Sequence, residues 1–207
     1  MPRAATSREN TREAILRAAI KVFAKHGYAG GSVEKISQAA HSVDRMIYYY
    51  FGSKEGLFIA VLEEIYRRMN EAEQRLALDV EQPVQALHAV IRFVIGYYRK
   101  HPEFVTLLNT ENLHQGRHIA KLHRAREYSS PAIAVIDRIL GAGQAQGLFR
   151  QGLAARDLYL LIAASGYFTM SNRYTLSAFL GEPLQAPEAQ AHWEHFVIDA
   201  VTRAVSV

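Results

Sequence analysis

Apolar residues in this chain recur three and four positions apart along nearly its whole length, and they alternate with polar ones over no stretch long enough to make a strand. That period limits the fold to helices packed on one another. The pairs Ala14/Ile15, Ala18/Ala19 and Val22/Phe23 repeat every four residues, and near the other end Trp193, Phe196, Val197, Ala200, Val201 and Ala204 share one stripe. The reading is an all-α protein of about nine helices.

Capping chemistry sets the boundaries. Thr6 and Glu9 have capping-box spacing, so the first helix starts near Thr6 or Ser7, and Gly27 supplies a left-handed stop. Ser32 can cap a short helix with Ile36, Ala39 and Ala40 inward. After a break at His41-Ser42-Val43, a second short helix runs from Asp44 to Phe51. Ser53 then caps a long helix that buries Leu57, Phe58, Val61, Leu62, Ile65 and Met69 and reaches about Leu78. Pro83 opens the next, which must end before Pro102. Further helical patterns cover 103–114, 118–128, 131–145 (stopped by Gly147), 156–180 and 187–205.

Charge divides the chain unevenly. The whole carries 24 Lys and Arg against 20 acids, a net of +4. Up to Lys54 there are nine bases and four acids, hence +5, and beyond it fifteen bases and sixteen acids, hence −1. A polyanion partner is therefore expected for the first quarter alone. With no cysteine, disulfides, thiolate metal sites and cysteine nucleophiles are excluded, and no glycine-rich phosphate loop, paired-carboxylate motif or nucleophile elbow is present. The polar start MPRAATSREN has no secretory signal, and the longest uncharged stretch, Leu158 to Asn172, is 15 residues, short of the ~18 to 20 that span a bilayer. A cytoplasmic protein without a membrane partner is expected.

The segment from Ser32 to Phe51 has helix, three-residue break and helix, the spacing of a helix-turn-helix whose second helix enters a major groove. Met46 to Phe51 conflicts locally with that reading, because Met-Ile-Tyr-Tyr-Tyr-Phe has strand propensity. As a helix it turns Ile47 and Phe51 inward and leaves Asp44, Arg45, Tyr48 and Tyr49 outward, with Tyr48 the tyrosine most expected to be partly buried. Exposed tyrosines suit a nucleic acid, since a phenol offers phosphate a donor and offers sugar or thymine an apolar ring.

The runs Ile36-Ser37-Gln38-Ala39-Ala40, Asp44 to Phe51 and Gly52-Ser53-Lys54-Glu55-Gly56-Leu57 together resemble the tetracycline-repressor (TetR) family of bacterial transcription regulators, over roughly residues 8 to 58. The resemblance implies that Asp44, Arg45, Met46 and Tyr49 read base edges. It also implies that Ser32, Tyr48, Tyr50 and Lys54 meet phosphates. Independently, Arg45 can bond guanine in bidentate fashion, and Lys54 adds charge at a helix N-terminus that already favours phosphate. Two positions depart from the family pattern: His41 stands where a turn glycine is usual, and Val43 where a capping residue is usual. His tolerates the left-handed conformation better than most residues, and Ser42 could cap one residue early. The implied organisation is a helix-turn-helix DNA-binding domain over residues 1–53 and a ligand-binding and dimerisation domain over 54–207. The implied function is a homodimeric repressor on an inverted-repeat operator, released by a small-molecule effector and needing no cofactor.

In the larger part, Glu111, His114 and His118, with His123 nearby, have a spacing that could ligate a transition metal, or they could be ordinary hydrogen-bonded groups. Phe93, Tyr97, Phe104, Leu108, Asn112, Tyr167, Phe168 and Met170 could line a ligand cavity or simply fill the core. Leu161, Ser165, Phe168, Thr169, Asn172 and Leu176, with Trp193, Phe196, Val197, Ala200 and Ala204, could form a four-helix interface in a two-fold dimer or pack inside the protomer. Small residues at Ala164, Ser165 and Gly166 would let helices approach there. A metal-dependent catalyst and an architectural DNA-binding dimer without a ligand are the alternative readings.

Overall fold

The computed structural model describes residues 3–122 and 130–207. Among these it has ten α-helices, a short 3₁₀ turn and no strand beyond the single bridge between Phe149 and Ser206. The helices are α1 (Arg3–Gly30), α2 (Val33–Ala39), α3 (Asp44–Phe51), α4 (Lys54–Gln74), α5 (Pro83–Lys100), α6 (Pro102–Leu113), α7 (Ser130–Ala145), α8 (Ala155–Ser171), α9 (Arg173–Leu180) and α10 (Pro187–Val205). The 3₁₀ turn is Ile119–Lys121.

The chain forms two compact units, Met1–Arg68 with Glu103–Ala125, and Met69–Pro102 with Arg126–Val207. In the first, Ile15, Ala19 and Phe23 of α1, Ile36 of α2, Ile47 of α3, and Leu57, Phe58 and Val61 of α4 are buried. Phe23 and Phe58 meet edge to face at 5.1 Å, the geometry that the ring quadrupole favours. In the second unit α5 is the central helix, packed against α7, α8 and α10. Leu87, Ile91 and Val94 of α5, Ile136 and Ile139 of α7, Ile162 of α8, and Val197 and Val201 of α10 make that core.

Local chemistry accounts for most boundaries. Gly27, at φ 68°, breaks the helical path of α1 where a stop is expected. Ser32 caps α2 by accepting the Lys35 N–H at 3.2 Å, and Ser53 caps α4 by accepting the Gly56 N–H at 2.9 Å. All six residues assigned to the inward face of α4 are buried.

Several expectations are corrected. The first helix begins at Arg3, so Thr6 lies within it; the side chains of the Thr6/Glu9 capping box are outside the described residues. Ala39 is exposed and Ala40 half-buried, and Ser37 takes the inward place beside Ile36, because its hydroxyl has partners there, the Glu34 carbonyl and the Asp44 carboxylate. α4 stops at Gln74 rather than Leu78, where the Leu76 N–H closes a tighter bond to the Glu73 carbonyl. The expected helix 156–180 is two helices. The break falls at Asn172 (φ −103°, ψ 13°), where both the backbone N–H and the side-chain amide donate to the Phe168 carbonyl. Of the expected helix 118–128 only the 3₁₀ turn is seen, and residues 123–129, His123 included, are outside the described residues.

Candidate nucleic-acid interface

The recognition-helix candidate is α3, and its seat is built from a left-handed turn and contacts at both of its ends. His41, at φ 49°, adopts the left-handed conformation that turns the chain between α2 and α3. The Ser42 N–H then closes the turn on the Ser37 carbonyl at 2.9 Å. Ser37, buried at the end of α2, donates its hydroxyl to the Asp44 carboxylate in the first turn of α3. Val43, not Ser42, occupies the N-cap position and makes no side-chain cap bond, so Asp44 is the acidic group that complements the helix end. At the other end, Gly56 of α4 lies so close to α3 that a Cβ there would collide with the Phe51 carbonyl. Arg12 of α1 adds a cation over the Phe51 ring at 5.1 Å.

Seated this way, α3 buries Ile47 fully and Phe51 partly. Asp44 and Arg45 are exposed, Met46 is half-buried, and Tyr48 and Tyr49 are 53% and 65% exposed. The partly buried tyrosine is Tyr50, not Tyr48. At 100° per residue Tyr50 lies 60° from Ile47 on the inward side, and Tyr48 lies 100° away on the other. Tyr50 meets Tyr49 at 4.9 Å.

Cations gather at the end of α1. Lys54 donates to the Ala29 carbonyl at 3.2 Å and lies over the Tyr28 ring at 4.9 Å; Lys35 donates to the Gly30 carbonyl at 3.0 Å. Burial, and then the neighbouring Lys35, hold the Lys54 ammonium below the ordinary lysine range. An arriving anion would offset both effects by its own charge. Lys35 had no role in the sequence reading beyond its charge, and only its folded proximity to Lys54 singles it out.

The candidate metal ligands form a satisfied pair instead. The Glu111 carboxylate receives the His118 N–H at 2.7 Å, the Ile119 N–H at 2.9 Å and the His118 ring nitrogen Nδ1 at 2.6 Å. Both residues are buried. His114 Nδ1 lies 2.8 Å from the Thr110 carbonyl. Gln115 and Gly116, with φ 58° and 72°, turn the chain between them. Among the described residues no group of three or more His, Asp and Glu is placed to hold a metal ion. The His118 ring packs on Phe58 at 5.0 Å and on Tyr28 at 4.8 Å, and so braces the core of the first unit.

The eight expected pocket residues are divided between the units. Phe104, Leu108 and Asn112 lie on α6 in the first, where Phe104 packs on Tyr66 at 5.5 Å; Phe93, Tyr97, Tyr167, Phe168 and Met170 lie in the second. Of these, Phe168 and Met170 wall a cavity of about 600 Å³ in the second unit. Among the expected dimer residues, Leu161, Phe168, Phe196, Ala200 and Ala204 are exposed and Ser165, Thr169, Asn172, Leu176 and Trp193 are half-buried. Val197 faces the core of its own protomer at 3% exposure, so it offers no surface to a partner. Gly166 is likewise used internally, because a Cβ there would stand 3.0 Å from the Tyr98 ring of α5.

Comparison with known proteins matches two segments. Residues 15–61 match the family described as "Bacterial regulatory proteins, tetR family", and residues 83–201 match "Tetracyclin repressor-like, C-terminal domain". The chain is 51% identical over 197 residues to the HTH-type transcriptional repressor NicS of Pseudomonas putida, covering 95% of this chain and 93% of that protein. It is 32% identical over 165 residues to the HTH-type transcriptional repressor SCO4008 of Streptomyces coelicolor, covering 78% and 79%. In fold it is similar to a TetR transcription regulator from Haloarcula marismortui, with TM-score 0.72, 16% identity and coverage of 96% and 99%.

Proposed function

The chain belongs to the TetR family of bacterial regulatory proteins, and on that premise we propose that it represses transcription as a cytoplasmic homodimer bound to an inverted-repeat operator. It is a regulator and not an enzyme. The observation that carries the DNA reading is α3, fixed at both ends, with Arg45, Tyr48 and Tyr49 left exposed beside a cluster of lysines. Asp44, Arg45, Met46 and Tyr49 read base edges, and Ser32, Tyr48, Tyr50 and Lys54 hold phosphates, with Lys35 beside them. Asp44 has a second duty as the tie to Ser37. In the dimer, two copies of α3 enter successive major grooves about 34 to 36 Å apart.

A small molecule releases the operator. α4 continues unbroken from Lys54 to Gln74, from one unit into the other, and is the element through which occupancy of the second unit reaches the head. Such coupling is typically ~1 to 3 kcal/mol and requires the effector to prefer one state.

The test is competition binding by Arg45→Ala and Lys54→Ala proteins. Loss of Arg45 relaxes preference at one base pair by about 1 to 3 kcal/mol. Loss of Lys54 weakens binding to all sequences and lowers the salt slope by about one. If neither variant differs from the parent, α3 and the α4 N-terminus are not the reading surface.

A further inference from the structure

Glu111 and His118 lie far from the helix-turn-helix in sequence, yet they belong to the same compact unit. The hydrogen bonds of this buried pair fix one ring orientation. Arg117 Nε, which can only donate, points at His118 Nε2 at 3.3 Å, so Nε2 accepts and Nδ1 is the nitrogen that donates to Glu111. The His118 and Ile119 backbone N–H groups hold the same carboxylate, so the imidazole is tied to a fixed anchor.

The ring so oriented packs on a side chain that reaches the proposed DNA surface. Tyr28, half-buried at the end of α1, is met by His118 at 4.8 Å, His114 at 5.4 Å and Phe58 at 5.0 Å. Both imidazoles come from the chain that follows α6. Tyr28 in turn carries the Lys54 ammonium 4.9 Å from its ring centre, and the Ala29 carbonyl accepts from the same ammonium at 3.2 Å. That seat uses part of the ammonium's donor capacity and leaves the rest for a phosphate. The segment after α6 also occupies the acid next to Lys54 in sequence, since Glu55 accepts from Lys121 at 2.7 Å. A lysine on its flexible stem must be ordered when it binds, and here the ring and the carbonyl order it beforehand.

We propose that His118, oriented by Glu111, is a positioning residue for the Lys54 phosphate contact and acts through the Tyr28 ring. The inference rests on the reading of Lys54 as a phosphate contact, and it places the control of that contact outside the helix-turn-helix.

The measurement is fluorescence anisotropy of a labelled duplex of random sequence, titrated with the full-length protein at stepped potassium chloride. The slope of log affinity against log salt counts phosphate contacts, whereas a general loss of stability lowers the active fraction alike at every salt and leaves the slope unchanged. Lys54→Ala should lower the slope by about one. Tyr28→Leu should lower it as Lys54→Ala does, and Tyr28→Phe, which keeps a ring under the ammonium, should retain the parent slope. His118→Asn keeps an amide to donate to Glu111 but removes the ring against Tyr28, and it should lower the slope too. Glu111→Gln keeps the ring but takes an acceptor from its anchor; it should act in the same direction, and it serves as the second variant if His118→Asn does not fold. In Lys54→Ala protein none of these changes should lower the slope further.

The parent slope in Tyr28→Leu, or in His118→Asn and Glu111→Gln together, would overturn the positioning role and leave Lys54 a phosphate contact. A further fall in the Lys54→Ala background would overturn it as well, by placing the effect at another contact. The parent slope in Lys54→Ala itself would remove the phosphate contact and this inference with it.

Discussion

Among the faces that expose large apolar side chains, that of α3 and that of α8 with α10 differ in what accompanies them. On α3, Tyr48 and Tyr49 are exposed beside Asp44 and Arg45, on a helix tied by Ser37 at one end and Gly56 at the other. On α8 and α10, Leu160, Leu161, Phe168 and Phe196 are exposed beside Ala164, Ala200 and Ala204. A surface that mixes phenols with charges, on a rigid short helix, suits a wet, charged and sequence-bearing partner such as DNA. An aliphatic and aromatic stripe interrupted by alanines suits another protein surface, where helices approach closely and water leaves. Exposure alone does not distinguish the two faces; the chemistry between the exposed rings does.

The comparison breaks first at Gly56. Gly56→Ala forces a methyl against the Phe51 carbonyl, so α3 must shift from α4, and operator affinity should fall by about 100-fold or more at unchanged oligomeric mass. Full binding by that variant would mean that the seat of α3 is not what presents it. The next effect belongs to the other face. Phe196→Asp puts a carboxylate in the proposed interface, where desolvating an unpaired charge costs several kcal/mol, so sedimentation equilibrium should show protomers. A dimer as tight as the parent's would remove α10 from the interface and leave its exposed stripe without an account.

A smaller effect sharpens the contrast by touching neither face. Burial raises the Glu73 carboxyl above its ordinary range, so the folded state favours the neutral form. The stability that follows is fully present below the ordinary carboxylate value of about 4.3, and it is lost as pH rises through the higher folded value. Glu73→Gln should therefore stabilise the protein at pH 7, by up to about 1 kcal/mol, with the gain vanishing near pH 4. Urea melts at the two pH values read this directly, and DNA affinity and mass should not change.

The two faces were also unequally legible in the sequence. Ser32, Gly27, His41 and Ser53 act within a few residues of themselves, through a cap or a left-handed turn, so spacing, together with the charge division and the family resemblance, located the helix-turn-helix and its candidate recognition helix. Within that head, the tie between Ser37 and Asp44 and the pairing of Lys35 with Lys54 required the fold, because each joins different elements. Helical geometry could have chosen Tyr50 over Tyr48 as the half-buried ring, had the angle from Ile47 been followed.

In the second unit the information is tertiary. The apolar run from Leu158 onward reads as one helix, and the structure divides it at Asn172, whose backbone leaves the helical region. Gly166 and Val197 have the residue types of an interface, yet both are used against the protomer's own helices, Gly166 against Tyr98 and Val197 in the core. Likewise Phe104, Leu108 and Asn112 share a plausible lining chemistry with Phe168 and Met170 but belong to the other unit. Periodicity says that a face is apolar and does not say which neighbour covers it.

The most direct test of the central claim is selection of duplexes from a random pool by the full-length protein. The account predicts enrichment of an inverted repeat whose half-site centres lie about one helical turn apart, ~10 to 10.5 base pairs, or a multiple of that. It also predicts that Arg45→Ala selects the same repeat with one position in each half relaxed. Failure to enrich any sequence, or enrichment of one lacking two-fold symmetry, would contradict a paired α3 as the reader of the operator.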